Sequence, residues 1–182
     1  MEEGIHNDKQ VTLGYYESIL AMKLVIRPFK KGDLDKIYTI EKRSFRDPWS
    51  KTAFLYLTEL KNIFFIVACC GERILGYIIA AVKRSDNQAT DKRKGAHLLN
   101  LAVTPDLRHR GIGEALLQNL EEILIRNKVR YIDLEVRPSN QKAISFYLNH
   151  NFKEKRVVPL YYIDEDAIVM IKELEDKRAV HM

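Results

Sequence analysis

The chain has 182 residues, with 30 Lys and Arg against 25 Asp and Glu and a formal net charge of +5. A chain of this length reads as one domain that buries roughly 70% of its unfolded surface, so a core needs neither disulfides nor metal. The positive balance favours acidic partners without separating nucleic acid from a phosphorylated cofactor, and no apolar run is long enough to span a bilayer.

The N-terminal MEEGIHNDKQ lacks a basic start followed by an apolar stretch, so it does not read as a signal peptide. Residues 1–21 read as an extension with a short helix at 15–20. MKLVIRPF (22–29) alternates and predicts a first strand. Asp33 is placed to cap a helix to about Arg43, with Leu34, Ile37, Tyr38 and Glu41 at helical spacing. Pro48 breaks the chain in FRDPWS. Ser50 then caps a second helix to about Leu60. NIFFIVACC and RILGYIIAAVKR, joined by Gly-Glu, read as two strands around a tight turn. Cys69 and Cys70 are neighbours there and point to opposite faces, which disfavours a disulfide between them and suggests buried thiols in a reducing, cytoplasmic setting.

Residues 85–95 read as a polar loop, and its Lys92-Arg93-Lys94 run as a solvated face. HLLNLAV (97–103) predicts a fourth strand and TPDLRHRG a loop. Apolar residues at 112, 115, 116, 120, 123 and 124 form a helical stripe. VRYIDLEV predicts a fifth strand, and Ser139 is placed to cap a helix to about Asn149. Asn151 suits a left-handed helix stop. FKEKRVV and DAIVMIKEL close the chain as two strands. The order β-α-α-β-β-β-α-β-α-β-β implies a mixed sheet with helices on its faces, an α/β (mixed α+β) class.

LRHRGIGEALL (107–117) brings Arg108, His109 and Arg110 to a helix start beside Gly111 and Gly113. Early helical N–H groups lack internal partners and carry partial positive charge. Glycine lets an anion approach the backbone, and arginine adds charge-assisted hydrogen bonds. No Gly-Lys-Ser/Thr follows, which excludes a P-loop, and the third glycine of a dinucleotide fingerprint is missing. On this stretch alone, a surface loop and an anion site both remain open.

Arg108-x-x-Gly111-x-Gly113 resembles the R/Q-x-x-G-x-G/A signature of the GCN5-related N-acetyltransferases (GNAT). LNLAVTPDLR resembles their fourth strand, and LEVRPSNQKAISFYLNHNF (134–152) their LEVRxSNxxAIxLYxxxGF segment. PWS (48–50) and YYIDEDAIVM (161–170) resemble the RimI-type branch, which acetylates protein N-termini. The likeness covers 22–174, an N-acetyltransferase domain between the extension 1–21 and a C-terminal tail, 175–182. It implies a single-domain GNAT fold: a mixed seven-stranded sheet, about four flanking helices, and a splay between strands 4 and 5.

The resemblance also implies acetyl-CoA as cosubstrate and no metal. Its pyrophosphate would sit on Arg108, His109, Arg110, Gly111, Ile112, Gly113 and Glu114. Its pantetheine arm would pair with Leu101, Ala102 and Val103, and Asn140 would contact it. Glu135 takes the base role and Tyr147 that of acid to the leaving thiolate. A partly buried carboxylate suits a base, and a phenol can protonate a thiolate. Phe45, Trp49, Tyr161 and Tyr162 would wall a peptide slot, and His97 would stand on the substrate side near a catalytic water. The implied substrate is a protein or peptide N-terminus, a ribosomal protein among the candidates. An α-amine has a pKa near 8, so about a tenth is neutral at pH 7, some hundredfold more than for lysine.

Each residue also has a structural reading. Glu135 could pair with Arg137 or Lys128, Tyr147 falls on an apolar stripe, and Trp49, Tyr161 and His97 could fill the local core. NHNF stands where the family has LGF, and YYIDEDA is one residue shorter than the common YYxxGEDA, which weakens transfer of substrate preference. A lysine side chain or small amine as acceptor remains open, with Asp164, Glu165 and Asp166 as a candidate acidic pocket. Scattered bases argue against a nucleic-acid module, and retained Glu135, Tyr147 and Asn140 argue against a catalytically dead sensor. Monomer and homodimer are both open.

Overall fold

A computed structural model describes residues 24–83 and 94–175. The expected helix at 15–20, most of the 85–95 loop and the tail beyond 175 lie outside the described residues. The elements are β1 (Val25–Pro28), α1 (Leu34–Ser44), α2 (Lys51–Thr58), β2 (Ile63–Cys70), β3 (Arg73–Val82), β4 (Gly95–Val103), α3 (Ile112–Arg126), β5 (Tyr131–Val136), α4 (Gln141–Asn149), β6 (Lys153–Val158) and β7 (Ala167–Glu173). Single 3-10 turns, Lys31–Asp33 and Pro105–Leu107, precede α1 and the α3 loop. The seven strands form one sheet in the order β1-β2-β3-β4-β5-β7-β6. β4–β5 is its parallel pair, and the other pairs are antiparallel.

The sheet separates two cores. On one face α3 buries Leu116, Leu117, Leu120 and Leu124 against Ile78, Ile132 and Leu134. On the other, α1 and α2 bury Ile37 and Phe54 against Val67, Tyr77 and Ile79. A fully buried leucine of this kind contributes about 1.5–3 kcal/mol of transfer free energy. Cys69 belongs to the second core and Cys70 to the first, and neither is in a disulfide.

Four local expectations meet the structure with different outcomes. Ser50 does cap α2, its Oγ accepting from Ala53 N–H at 3.1 Å. Asp33 does not cap α1: its carboxylate accepts from both Arg27 guanidinium nitrogens at 2.7 and 2.8 Å and from Lys30 N–H at 2.8 Å. A cationic fork on the neighbouring strand outcompetes the helix N–H groups for that side chain. Ser139 does not cap α4 either. Asn140 does, accepting from Ala143 N–H, because Ser139 is drawn to Glu165 through both its N–H and its hydroxyl. Asn151 adopts the left-handed stop at φ 66°.

Two irregularities position the site. The β3–β4 register slips so that Ile79 faces Asn100 while Ala80 faces Leu98, leaving Leu99 as an extra residue. That bulge changes the phase of β4. His97 and Asn100, three residues apart, therefore both face the α1 side. The second irregularity is the β4–β5 ladder, which has only the rungs Gly95↔Tyr131, Ala96↔Ile132 and His97↔Asp133. Both strands continue beyond it unpaired with each other, to Val103 and Val136.

Candidate active site

The parted strands open two clefts, of about 610 Å³ and 500 Å³, that share Ser44, Phe45, Leu101, Asn140, Ala143 and Tyr147. They are two arms of one slot meeting at Leu101 and Tyr147. Thr104 N–H turns to Leu75 O across the sheet. Successive strand N–H groups alternate, so those of Leu101 and Val103 turn the other way, into the gap.

The smaller arm runs from Leu101, Ala102 and Val103 to Arg108, His109, Gly111, Gly113 and Glu114. Gly111 caps α3 at φ 78°, with no side chain to satisfy the helix start. The first bond of the helical ladder is Ala115 N–H to Gly111 O, so the N–H groups ahead of it face outward. Space at Gly111 is open, and a Cβ on Gly113 would rest on the Phe146 ring at 3.5 Å. Arg108 does not reach freely into this arm: its Nε donates to Val103 O at 3.2 Å and its Nη2 to Ser44 Oγ at 3.1 Å. Ile112 is buried in the core, and Arg110 is not among the residues lining either arm.

The larger arm carries Glu135, Trp49 and Tyr162. Glu135 does not pair with Arg137 or Lys128. Its Oε2 lies 2.9 Å from His97 Nε2, and the Tyr161 hydroxyl bonds to it as well, while burial first and then Glu135 raise that tyrosine's pKa. His97 stands behind Glu135 rather than in the cleft wall. Tyr147 lies at the junction, and burial first, with Tyr162 adding, pushes its hydroxyl well above the ordinary range. It therefore stays protonated at neutral pH. Phe45 and Trp49 pack partly on the α1-side core and also line this arm.

The sequence reading missed three features. Glu41 is 1% exposed, yet it accepts from Trp49 N–H at 2.9 Å, from the Tyr77 hydroxyl, and from Asn100 Nδ2 at 3.3 Å. A carboxylate on the apolar stripe of α1 was the available signal. Asp133 was the second, holding His97 and Lys83 together. The third is Arg137, which bonds Asp164 at 2.7 Å and lies 3.9 Å over the Tyr162 ring. Among the described residues, no group of three or more His, Cys, Asp or Glu side chains could hold a metal ion, and no helix is long and apolar enough to cross a membrane.

Residues 34–152 match the Acetyltransferase (GNAT) family. The chain belongs to this family. It is an acetyltransferase with a GNAT fold. It is 35% identical over 151 residues to an N-acetyltransferase of Methanocaldococcus jannaschii, covering 82% of this chain and 91% of that one. It is 33% identical over 149 residues to the [ribosomal protein bS18]-alanine N-acetyltransferase of Escherichia coli K12, covering 80% and 94%. The crystal structure of the Escherichia coli ribosomal-protein-S18-alanine N-acetyltransferase superposes with a TM-score of 0.72 at 30% identity, covering 84% of this chain and 95% of that one. Within the GNAT frame, the expected mixed seven-stranded sheet, the four helices and the parting of the fourth and fifth strands are all present.

Proposed function

We propose that this GNAT enzyme transfers the acetyl group of acetyl-CoA to the free N-terminal α-amine of a protein or peptide, by direct attack with both substrates bound. One observation carries the reading: two arms of a single slot meet at Leu101 and Tyr147, with Glu135 on the wall of one and the α3 start at the far end of the other.

The chain's groups fit acetyl-CoA. The uncapped start of α3 at Gly111 suits a pyrophosphate, and the inward N–H groups of Leu101 and Val103 suit an extended amide arm and a thioester carbonyl. Acetyl-CoA supplies the acetyl group as a thioester. Glu135 takes a proton from the α-ammonium, directly or through water, leaving a neutral amine. The Leu101 and Val103 N–H groups stabilise negative charge as it builds on the carbonyl oxygen. Tyr147, kept protonated by burial, hands its proton to the leaving sulfur. Phe45, Trp49 and Tyr162 line the arm that receives the first residues of the acceptor.

An acceptor of lysine or polyamine type would want free carboxylates in that arm. Asp164 is bonded to Arg46 and Arg137, Glu165 to Ser139 and Arg137, and Asp166 accepts from Leu160 N–H. These carboxylates are committed to holding loops, which favours the α-amine. The deciding experiment is mass spectrometry of short peptides with different first residues, incubated with the protein and acetyl-CoA. An alanine-first peptide belongs in the panel, given the name of the Escherichia coli relative. Acetylation confined to α-amines supports the reading, and acetylated lysine or polyamine with untouched N-termini overturns it.

A further inference from the structure

His97 stands between two carboxylates. Its Nδ1 is 2.6 Å from Asp133 Oδ1 and its Nε2 is 2.9 Å from Glu135 Oε2. Lys83 pairs with the other Asp133 oxygen. Strand register assembles this line. His97↔Asp133 is the last rung before β4 and β5 part, and Glu135 lies two residues on, on the same face of β5. Lys83 follows the end of β3, where its N–H bonds Gly95 O at the start of β4.

Hydrogen inventory gives the line a direction. An ionised carboxylate only accepts. Burial raises the Asp133 carboxyl, but hydrogen bonds from His97 and Lys83 outweigh it and hold the group below the ordinary aspartate range. Ionised Asp133 therefore needs a hydrogen on Nδ1. A neutral ring that carries its hydrogen on Nδ1 has a lone pair on Nε2, the nitrogen that faces Glu135. The 2.9 Å contact then accommodates one further proton, shared between Nε2 and Glu135.

We propose that Asp133 is a positioning residue for acetyl transfer: it locks His97 in the Nδ1–H form, so that Nε2 relieves Glu135 of the proton taken from the substrate ammonium. The proposal rests on the function proposed above, with Glu135 as base. An N–H bond of the ammonium breaks as an O–H bond forms on Glu135. That O–H bond breaks as an N–H bond forms on Nε2. The imidazolium, steadied by Asp133, then releases the proton to water, restoring a neutral ring and a free carboxylate. The groups facing this pair are Asp133 and Glu135 from β5, Lys83 through Asp133, and the Tyr161 hydroxyl from the β6–β7 loop on Glu135.

Asp133→Asn tests the orientation. Lys83 claims the amide oxygen, so the amide NH₂ faces Nδ1 and forces the ring hydrogen onto Nε2, where it blocks Glu135. With an α-amine peptide, kcat should fall about 30-fold at pH 7 but only about threefold at pH 9, where the amine is already neutral. The Kd for acetyl-CoA should not change. Adding Lys83→Met frees the amide to turn over, and the double variant should regain about tenfold of the loss. Independently of turnover, ¹⁵N shifts of the His97 ring should report Nδ1–H in the wild type and in Asp133→Glu, and Nε2–H in Asp133→Asn. A wild-type ring without hydrogen on Nδ1, or an Asp133→Asn loss that is equal at every pH and unrelieved by Lys83→Met, overturns the proposal. A wild type that acetylates no α-amine overturns the acceptor reading instead, and the ring shifts still decide whether Asp133 sets the tautomer.

Discussion

Arg137 Nη1 lies 2.7 Å from Asp164 Oδ1, and this ion pair ties the end of β5 to the β6–β7 loop that carries Tyr161 and Tyr162. The same guanidinium stacks on Tyr162 and reaches Asp47 in the α1–α2 loop at 3.5 Å. One side chain beside Glu135 therefore latches both loops that flank the larger arm. Replacing Arg137 with Gln should raise the KM for peptide about fivefold while leaving the Kd for acetyl-CoA unchanged, because positioning is lost on one side only. Added salt should mimic the effect in the wild type, since these charges are solvent-facing and screened. Steady-state kinetics at two ionic strengths check both.

On the proposed mechanism, Glu135→Gln removes the proton acceptor but keeps the shape. Its kcat should fall about a hundredfold at pH 7. The deficit should shrink as pH rises through the α-amine pKa near 8, where the substrate arrives neutral. A pH–rate profile with the same deficit at both ends would remove Glu135 from the base role.

Tyr147→Phe should behave differently. Burial holds the Tyr147 hydroxyl above its ordinary pKa, so the donor of the proposed mechanism keeps its proton at neutral and mildly basic pH. The loss in kcat, about ten- to a hundredfold, should be flat from pH 6 to 9. A loss that grows toward high pH would mean the hydroxyl titrates in that range.

Gly113→Val places a branched side chain against Phe146 and Val103, the nearest atoms to the new Cβ. It narrows the smaller arm at the start of α3 and should weaken acetyl-CoA binding about tenfold or more. Arg108→Ala should cost less affinity, since Arg108 already spends its hydrogen bonds on Val103 O and Ser44 Oγ. Calorimetric titration with acetyl-CoA ranks the two, and the opposite order would mean that charge, not backbone, holds the anion.

Asp33→Asn should destabilise the fold by about 2 kcal/mol at pH 7, the scale of hydrogen bonds to a charged partner. The Arg27 fork lowers the Asp33 carboxyl below its ordinary 3.8, so the native state favours the ionised form. That stability is present above pH 3.8 and is lost as pH falls through the lower folded value. Denaturant titrations of both proteins should therefore converge under acid conditions.

Much of this architecture was legible in the residues. Alternating stretches, continuous apolar runs and helical stripes located most of the described strands and α-helices, because burial of one face imposes periods of 2 and 3.6 while burial of both faces of β2 and β3 gives an unbroken apolar run. The Arg108-to-Gly113 stretch and LEVRPSN pointed to the arms of the slot because their chemistry is local. What escaped was pairing between different elements, whether near or far along the chain. Asp33 looked like a cap until Arg27 on the neighbouring strand claimed it. Ser139 looked like a cap until Glu165, 26 residues on, bonded it. The partnership of His97 with Asp133 depends on a register between strands 36 residues apart, and nothing local in either segment specifies that pairing. Glu41 was visible as a residue but not as a buried polar hub, because its donors come from Trp49, Tyr77 and Asn100.

The gap between β4 and β5 has a consequence for how such an enzyme diversifies. It exists because two backbones stop pairing after His97, so no exchange of lining side chains can close it. On the function proposed above this gap is the donor's berth, and its opening is set by backbone pairing rather than by the side chains of β4 and β5. On the same reading the acceptor's berth is the larger arm, walled by Phe45, Trp49 and Tyr162, residues on or beside loops. A lineage built on this frame can change what it acetylates while keeping the same acetyl donor.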